Sequence, residues 1–313
     1  MAKSPPKSSR GSTKQPRLDE ATLTTPASVG SGASQTQSVR VDEIEQKAAW
    51  SDSPTLPFPT GLPMEHEYLG QDFYVRSCYS KYYKYVTGLL DDPDTAVVTV
   101  TGTPGIGKSI FYAYFLKRLS LEDKETTIIT VSISRESVLK KAAAWKGGKM
   151  LGSAVDESTD SSAMKAVIDK AKTERQATHR LIYLIDGPPK IHPGDAQSVV
   201  FVSPNDAWFS YIRKDWTRPM VVMPLWTMKE LVAAAIELDL RMRVDKHPFD
   251  EESMGALEDV PVAPMVADLV EQRFHIFGGV ARECLSTYEE FVKEQQDRIL
   301  RMNSPRRMTP VEE

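Results

Sequence analysis

A short β-like run followed by a glycine-rich loop constrains the fold of this chain more than any other feature. The run is Ala96–Thr101 (AVVTVT), and the loop after it, Gly102-Thr103-Pro104-Gly105-Ile106-Gly107-Lys108-Ser109, matches G-x-x-x-x-G-K-[ST] in full. An apolar helical stretch begins at Ile110. Glycines let such a loop curl until its backbone N–H groups converge on an anion, and the positive end of the next helix points at the same place. The sequence therefore predicts a phosphate-binding loop, the P-loop.

The residue types in this loop indicate a nucleoside triphosphate, with ATP or GTP and Mg²⁺ as the expected ligands. We expect the phosphates to contact Gly102, Thr103, Pro104, Gly105, Ile106, Gly107, Lys108, Ser109 and Ile110. The ammonium group of Lys108 would reach the β- and γ-phosphates, and the Ser109 hydroxyl would ligate Mg²⁺. A second metal ligand is predicted at Asp186, which ends the apolar run Leu181–Ile185 as a Walker B acid does. The alternative for Asp186 is an ordinary turn residue after a buried strand.

Three further positions are weaker candidates. Gly187 stands where many hydrolytic P-loop enzymes carry a glutamate that polarises water, so hydrolysis is slow or another residue positions the water. Glu136 is one such candidate, although a solvated acid at a helix start explains it equally. Ser203 or Asn205, after the fourth β-like run, could sense the γ-phosphate or simply form a turn.

Gly279-x-x-Arg282 has the form of a second sensor, in which an arginine from a helical lid reaches the γ-phosphate. Such an arginine would stabilise the charge that develops during phosphoryl transfer, so Arg282 joins Lys108 and Asp186 as a predicted catalytic residue. The alternative is a glycine turn beside a surface arginine.

Continuous apolar runs that alternate with helical stretches predict a doubly wound α/β fold with a parallel sheet. The five predicted strands are Ala96–Thr101, Thr127–Ile133, Leu181–Ile185, Val199–Val202 and Met220–Met223. Predicted helices span Phe73–Leu90, Thr227 to about Val244, Val262–Phe274 and Ala281–Met302, and Ser153–Ser162 is predicted as a loop. Helical spacing of the tyrosines in the first helix favours core packing over a platform for single-stranded nucleic acid.

The composition divides the chain of 313 residues unevenly. The first 40 residues contain no Phe, Trp, Tyr or Ile and are rich in Ser, Thr, Pro, Gly and Gln, so we expect them to be disordered. The predicted domains are a tail and Pro-rich linker (1–66), a P-loop NTPase core (67–226) and a helical lid with a C-terminal tail (227–313). A net charge of −4 excludes a uniformly basic nucleic-acid coat protein, although the tail is locally basic.

Cysteine, histidine and hydropathy patterns exclude several other classes. Two cysteines without CxxC argue against a disulfide scaffold or a thiolate zinc site, and the five histidines show no metal-ligand spacing. No apolar run approaches the roughly 20 residues that span a bilayer, and the N-terminus lacks the apolar core of a secretory signal. We expect an intracellular protein, in the cytoplasm or nucleus.

Several stretches together resemble the P-loop NTPase module of Crinkler effectors and the related retrotransposon hot spot proteins. They are Val75-Arg-Ser-Cys-Tyr, the loop Gly102 to Phe115, Leu184-Ile-Asp-Gly-Pro, Met223-Pro-Leu-Trp-Thr-Met-Lys-Glu-Leu and Phe277-Gly-Gly-Val-Ala-Arg. The resemblance covers about Phe73 to Leu300. It implies an additional-strand P-loop fold of the AAA/STAND-like type with a C-terminal helical lid, and an effector role that is often nuclear and can follow secretion and translocation into a host cell.

The sequence favours Mg²⁺-dependent binding of ATP, with slow hydrolysis. A non-hydrolysing nucleotide switch is the main rival, and a small-molecule or nucleotide kinase or a scaffold with a vestigial P-loop are weaker ones. Besides the nucleotide we expect an unidentified protein partner, which by resemblance could be a host protein. Nucleic acid is a further partner class without support in the sequence, and no membrane partner is expected.

Overall fold

In the computed structural model the described residues are 53–155, 162–175, 179–240, 242 and 262–303. The first 40 residues, which we predict to be disordered, lie outside them. Ser53 begins the compact unit that contains the rest of the described chain. Strand β1 (Thr55–Pro57) pairs antiparallel with β2 (Asp72–Tyr74), and Leu62 between them is buried. The part of the predicted linker from residue 53 onward is therefore packed structure, which differs from the expectation.

A seven-stranded sheet forms the centre of the fold. Its strands are β3 (Val97–Thr101), β4 (Thr127–Ile133), β5 (Leu139–Lys146), β6 (Lys149–Val155), β7 (Leu181–Asp186), β8 (Gln197–Phe201) and β9 (Met220–Val222). The order across the sheet is β6-β5-β4-β7-β8-β3-β9. The five strands from β4 to β9 in this order are parallel, as predicted from the sequence, and every residue of β3, β4 and β7 is buried.

Helices cover both faces of this sheet, which is why its strands read as continuous apolar runs. The helices are α1 (Tyr79–Leu90), α2 (Lys108–Glu122), α3 (Ser162–Glu174), α4 (Asp206–Ile212), α5 (Met228–Glu237), α6 (Val262–Phe277), α7 (Ala281–Cys284) and α8 (Glu289–Asn303). On one face Met164 of α3 and Trp208 of α4 belong to the same buried cluster as Val200 of β8. On the other face Phe115 of α2 contacts the ring of Phe201, the next residue of β8.

Helix α1 starts later than the sequence predicted. The expected helix at Phe73 begins only at Tyr79, because Asp72–Tyr74 pairs with β1. Tyr79 and Tyr83 are buried and contact aromatic rings of α2, so the prediction of core packing is confirmed for these two side chains.

The antiparallel hairpin β5–β6 was not expected. Gly147 and Gly148 join its strands, both with positive φ, as a two-residue hairpin turn requires. The predicted loop at Ser153–Ser162 is wrong at both ends, because β6 runs through Val155 and α3 begins at Ser162. The residues between them lie outside the described part of the chain.

The C-terminal helices follow the predicted order but differ in extent, and α6 runs to Phe277 rather than Phe274. Helix α5 carries the expected capping box of Thr227 and Glu230 but ends at Glu237, short of Val244. The predicted helix Ala281–Met302 is two helices, α7 and α8, and the buried Arg273 donates to the carbonyl of Ser286 between them. Within the described residues, none of the helices combines the length and the apolar character needed to cross a membrane.

Candidate functional site

The P-loop joins β3 to α2 and curls over the first turn of that helix. Its three glycines have positive φ, 147° at Gly102, 83° at Gly105 and 87° at Gly107. A Cβ at Gly105 would lie 2.7 Å from Val280 Cγ1, so this position needs glycine for both conformation and space. The loop is therefore a concave backbone turn at a helix N-terminus, which is the geometry that binds phosphate.

Lys108 lies over this loop rather than pointing into solvent. Its Nζ donates to the carbonyl oxygens of Gly102 and Thr103, each at 2.9 Å. Burial, together with the charge of Arg282, lowers the pKa of Lys108 to about 8, and the charge of Asp186 opposes this shift. The ammonium group is thus held at the loop by neutral acceptors, which phosphate oxygens can replace.

The two predicted metal ligands are in contact. Ser109 Oγ donates to Asp186 Oδ1 at 2.9 Å, which brings the first turn of α2 to the end of β7. Burial raises the pKa of Asp186 to about 6, and the bonds from Ser109 and from the backbone N–H of Glu65 oppose this rise. A hydroxyl and a buried carboxylate are oxygen ligands that suit Mg²⁺.

The residue after Asp186 cannot carry a side chain. Gly187 has φ of 110°, and a Cβ there would lie 1.9 Å from the carbonyl oxygen of Ile133. Its N–H donates to the carbonyl of Phe201 at 3.0 Å, which holds the turn against β8. The absence of a glutamate at this position therefore has a steric cause in the packing of β4 against β7.

The three weaker candidates, Asn205, Ser203 and Glu136, have different environments in the structure. Asn205 caps α4 by accepting from the N–H of Trp208 at 2.8 Å, as a structural turn residue does. Ser203 is exposed beyond the end of β8. Glu136 faces solvent in the loop after β4, where it accepts from Ser134 Oγ at 2.8 Å.

The segment before α7 reaches the P-loop. The backbone N–H of Arg282 donates to the carbonyl of Gly105 at 3.0 Å, while the Arg282 side chain is exposed. Glu283, which the sequence did not single out, has a buried Oε2 without a hydrogen-bond partner in the part of the chain that the structure describes. A Cβ at Gly105 would lie 3.1 Å from that oxygen, so α7 places a carboxylate beside the loop.

A second connection to the loop runs through Trp226, which sequence reasoning treated only as packing. Its Nε1 donates to the carbonyl of Ile106 at 2.8 Å, and its backbone N–H donates to the carbonyl of Gly279 at 3.0 Å. The guanidinium of the buried Arg76 stacks 4.6 Å from the Trp226 ring centroid and pairs with Glu230 at 3.1 Å. The only sequence signal for these contacts of Trp226 was the Met-Pro-x-Trp motif followed by Glu-Leu.

Strand order and loop geometry together decide the fold class. The P-loop strand β3 lies between β8 and β9, and β7 with its terminal acid lies on the far side of β8. The chain has the fold of a P-loop NTPase. It is mixed α/β, with a mostly parallel sheet and helices on both faces.

No known family's sequence profile matches the chain, and no curated protein matches it. Among solved structures it is similar to Drosophila ORC bound to DNA, at 13% identity over 84% of this chain and 69% of that chain, with a TM-score of 0.38. C. elegans PCH-2 follows at 10% identity, covering 72% of this chain and 70% of that chain, with a TM-score of 0.34. The Thermotoga maritima RuvB Holliday junction branch migration motor has 14% identity, 72% and 69% coverage and a TM-score of 0.30. Since all three scores are low, the geometry of the site itself must support any functional conclusion.

Proposed function

We propose that this chain binds ATP with Mg²⁺ and hydrolyses it slowly. The observation that carries the proposal is the meeting of the P-loop, Lys108 and the Ser109–Asp186 pair at one edge of the sheet. Backbone N–H groups and the dipole of α2 supply an anion site, while the buried carboxylate supplies a cation site beside it. GTP fits the same chemistry, because none of these contacts involves a base.

Phosphate binding would use groups already in place. Lys108 would exchange its bonds to the carbonyls of Gly102 and Thr103 for bonds to the β- and γ-phosphate oxygens. Ser109 and Asp186 would hold Mg²⁺, which neutralises phosphate charge when bound. Their existing 2.9 Å contact means that neither side chain has to travel far to reach one cation.

Arg282 is the residue that we propose for stabilising the γ-phosphate from the lid. Its backbone is fixed to Gly105, and its charge acts on Lys108, so the side chain lies within electrostatic reach of the phosphate site. Ser203 remains a proposed γ-phosphate contact on the strength of its place after β8. The steric requirement for glycine at position 187 favours slow turnover, and it equally supports a nucleotide switch that does not hydrolyse.

Turnover distinguishes these two functions. We expect phosphate release from Mg·ATP by the wild type to exceed that by Lys108→Ala at least about tenfold, because the lysine contacts the transferred group. Lys84→Ala is the matched control, since Lys84 is exposed on α1. Equal release by wild type and Lys108→Ala, with tight ATP binding retained by the wild type alone, would instead establish the switch.

The Crinkler resemblance supports a finer proposal, that of an effector NTPase module acting inside a cell on a protein partner. This proposal is supported by three residues from the motifs that carry the resemblance. Arg76, Trp226 and Gly279 belong to one network of contacts at the P-loop. An interaction screen with and without Mg·ATP tests it. Partners captured only by the nucleotide-loaded wild type, and not by Lys108→Ala, are the expected result.

A further inference from the structure

Hydrolysis at a P-loop requires a group that orients the attacking water. The position after Asp186 cannot supply it, because a Cβ on Gly187 would overlap the carbonyl oxygen of Ile133. The group that orients the water must therefore come from another element that reaches the end of β7.

The segment between β1 and β2 reaches this point. The backbone N–H of Glu65 donates to Asp186 Oδ2 at 3.2 Å, across 121 positions in the sequence. The segment is anchored immediately before the contact, since Leu62 and Met64 are buried and the carbonyl of Pro63 accepts from Tyr112 Oη at 3.1 Å. Glu65 is thus held next to the predicted Mg²⁺ ligand by packing rather than by a free loop.

We propose that the Glu65 carboxylate orients the water that attacks the γ-phosphate, in place of the glutamate that Gly187 excludes. This inference rests on the proposed NTPase function. The Glu65 side chain is partly exposed, so water can reach it, and its backbone N–H bond fixes the residue beside the Asp186 carboxylate. Glu136, the earlier candidate, is instead fully solvated and bonded to Ser134.

The chemical step is a direct displacement. The water oxygen forms a bond to the γ-phosphorus as the bond from that phosphorus to the β–γ bridging oxygen breaks, and the bonding pair leaves with ADP. The water proton passes to the Glu65 carboxylate and from there to the released phosphate. Positioned general bases of this kind contribute about 10²–10⁴ in rate.

The test is Glu65→Gln in the full chain, compared with Glu67→Gln and Glu136→Gln. Glutamine keeps the shape and the backbone N–H of residue 65, so the bond to Asp186 and the anchoring contacts survive. Glu67 is an exposed acid two residues away, which makes it the matched control for loss of one charge from the same segment. The readouts are phosphate release, equilibrium affinity for Mg·ATP and the fraction of bound nucleotide that remains ATP.

We expect Glu65→Gln to lower turnover about 100-fold, to bind Mg·ATP within about threefold of wild type and to retain intact ATP. Glu67→Gln should behave as wild type. Wild-type turnover by Glu65→Gln, or an equal loss of affinity and turnover, would overturn the assignment, and loss of turnover in Glu136→Gln alone would transfer the role to Glu136. If wild type releases no more phosphate than Lys108→Ala, the hydrolytic function itself fails, and the role of Glu65 fails with it.

Discussion

At the scale of single residues, steric exclusion of side-chain atoms determines which residue types the site can contain. Gly187 is the clearest case, because its conformation and the nearby carbonyl of Ile133 both exclude a side chain. The sequence showed that a glutamate was missing there but not why, since the cause is a contact between β4 and β7 that only the folded chain makes. The P-loop motif predicted Lys108 and Ser109, and the acid at the end of an apolar run predicted Asp186, whereas the roles of all three at a nucleotide stay predictions.

Gly187→Ala should destabilise the protein by about 2–4 kcal/mol, because the new Cβ meets backbone at a positive φ. Thermal or denaturant unfolding measures the effect. Gly88→Ala is the matched control, since nothing lies within 4 Å of its Cβ in α1, and alanine there should stabilise the helix by about 0.5–1 kcal/mol. Equal stability of the two variants would contradict the steric account.

Mg²⁺-dependent nucleotide binding should weaken as the pH falls through about 6. Burial raises the pKa of Asp186 to about 6, above its ordinary 3.8, so the ionised form that Mg²⁺ needs predominates only at higher pH. Titrations with ATP at several pH values, each with Mg²⁺ and with EDTA, measure the effect. We expect the Mg²⁺-dependent part of the affinity to fall about tenfold per pH unit below pH 6, whereas an affinity that stays constant down to about pH 4.5 would contradict the assignment.

At the scale of elements, the segment before α7 and the P-loop are joined by contacts that no local pattern encodes. Trp226 bonds to Ile106 on one side and Gly279 on the other, and Arg76 stacks on its ring. The five parallel strands were predictable because burial on both faces makes them continuously apolar. The hairpin β5–β6 could not be predicted in the same way. Its first strand, LKKAAAWK, shows little alternation of apolar and polar residues, and alanine and lysine are weak strand formers.

Trp226→Phe should lower nucleotide affinity about fivefold and lower the unfolding temperature by only a few degrees. Phenylalanine keeps the packing but leaves the carbonyl of Ile106 without its donor, at a cost of about 1 kcal/mol in the loop that binds phosphate. Calorimetric titration measures the affinity. Trp216→Phe is the control, since Trp216 is 76% exposed, and equal effects of the two substitutions would show that the indole bond does not position the loop.

At the scale of the whole molecule, the boundary of the folded unit lies earlier than composition suggested. The segment from Ser53 to His66 is rich in proline, which reads as a linker, yet it supplies β1 and the contact to Asp186. Proline content indicates an extended backbone but not whether that backbone packs against the rest of the fold. The packing of this segment could therefore not be predicted from the sequence alone. The basic tail before residue 53 stays a prediction from composition.

A chain lacking residues 1–66 should be less stable than one lacking residues 1–52 by at least about 3 kcal/mol. The difference is the loss of two buried side chains, Leu62 and Met64, and of the strand partner of β2. Denaturant unfolding of the two truncated chains measures it. Matching midpoints would show that the segment contributes nothing to the fold.

The most direct test of the central claim is an equilibrium titration of the full chain with Mg·ATP, comparing wild type, Lys108→Ala and Lys84→Ala. We expect one bound nucleotide per chain for wild type and Lys84→Ala. We expect at least about tenfold weaker binding for Lys108→Ala, because the buried ammonium is the cation that the loop presents to the phosphates. Unchanged affinity in Lys108→Ala, or no binding by the wild type, would contradict nucleotide binding at this loop.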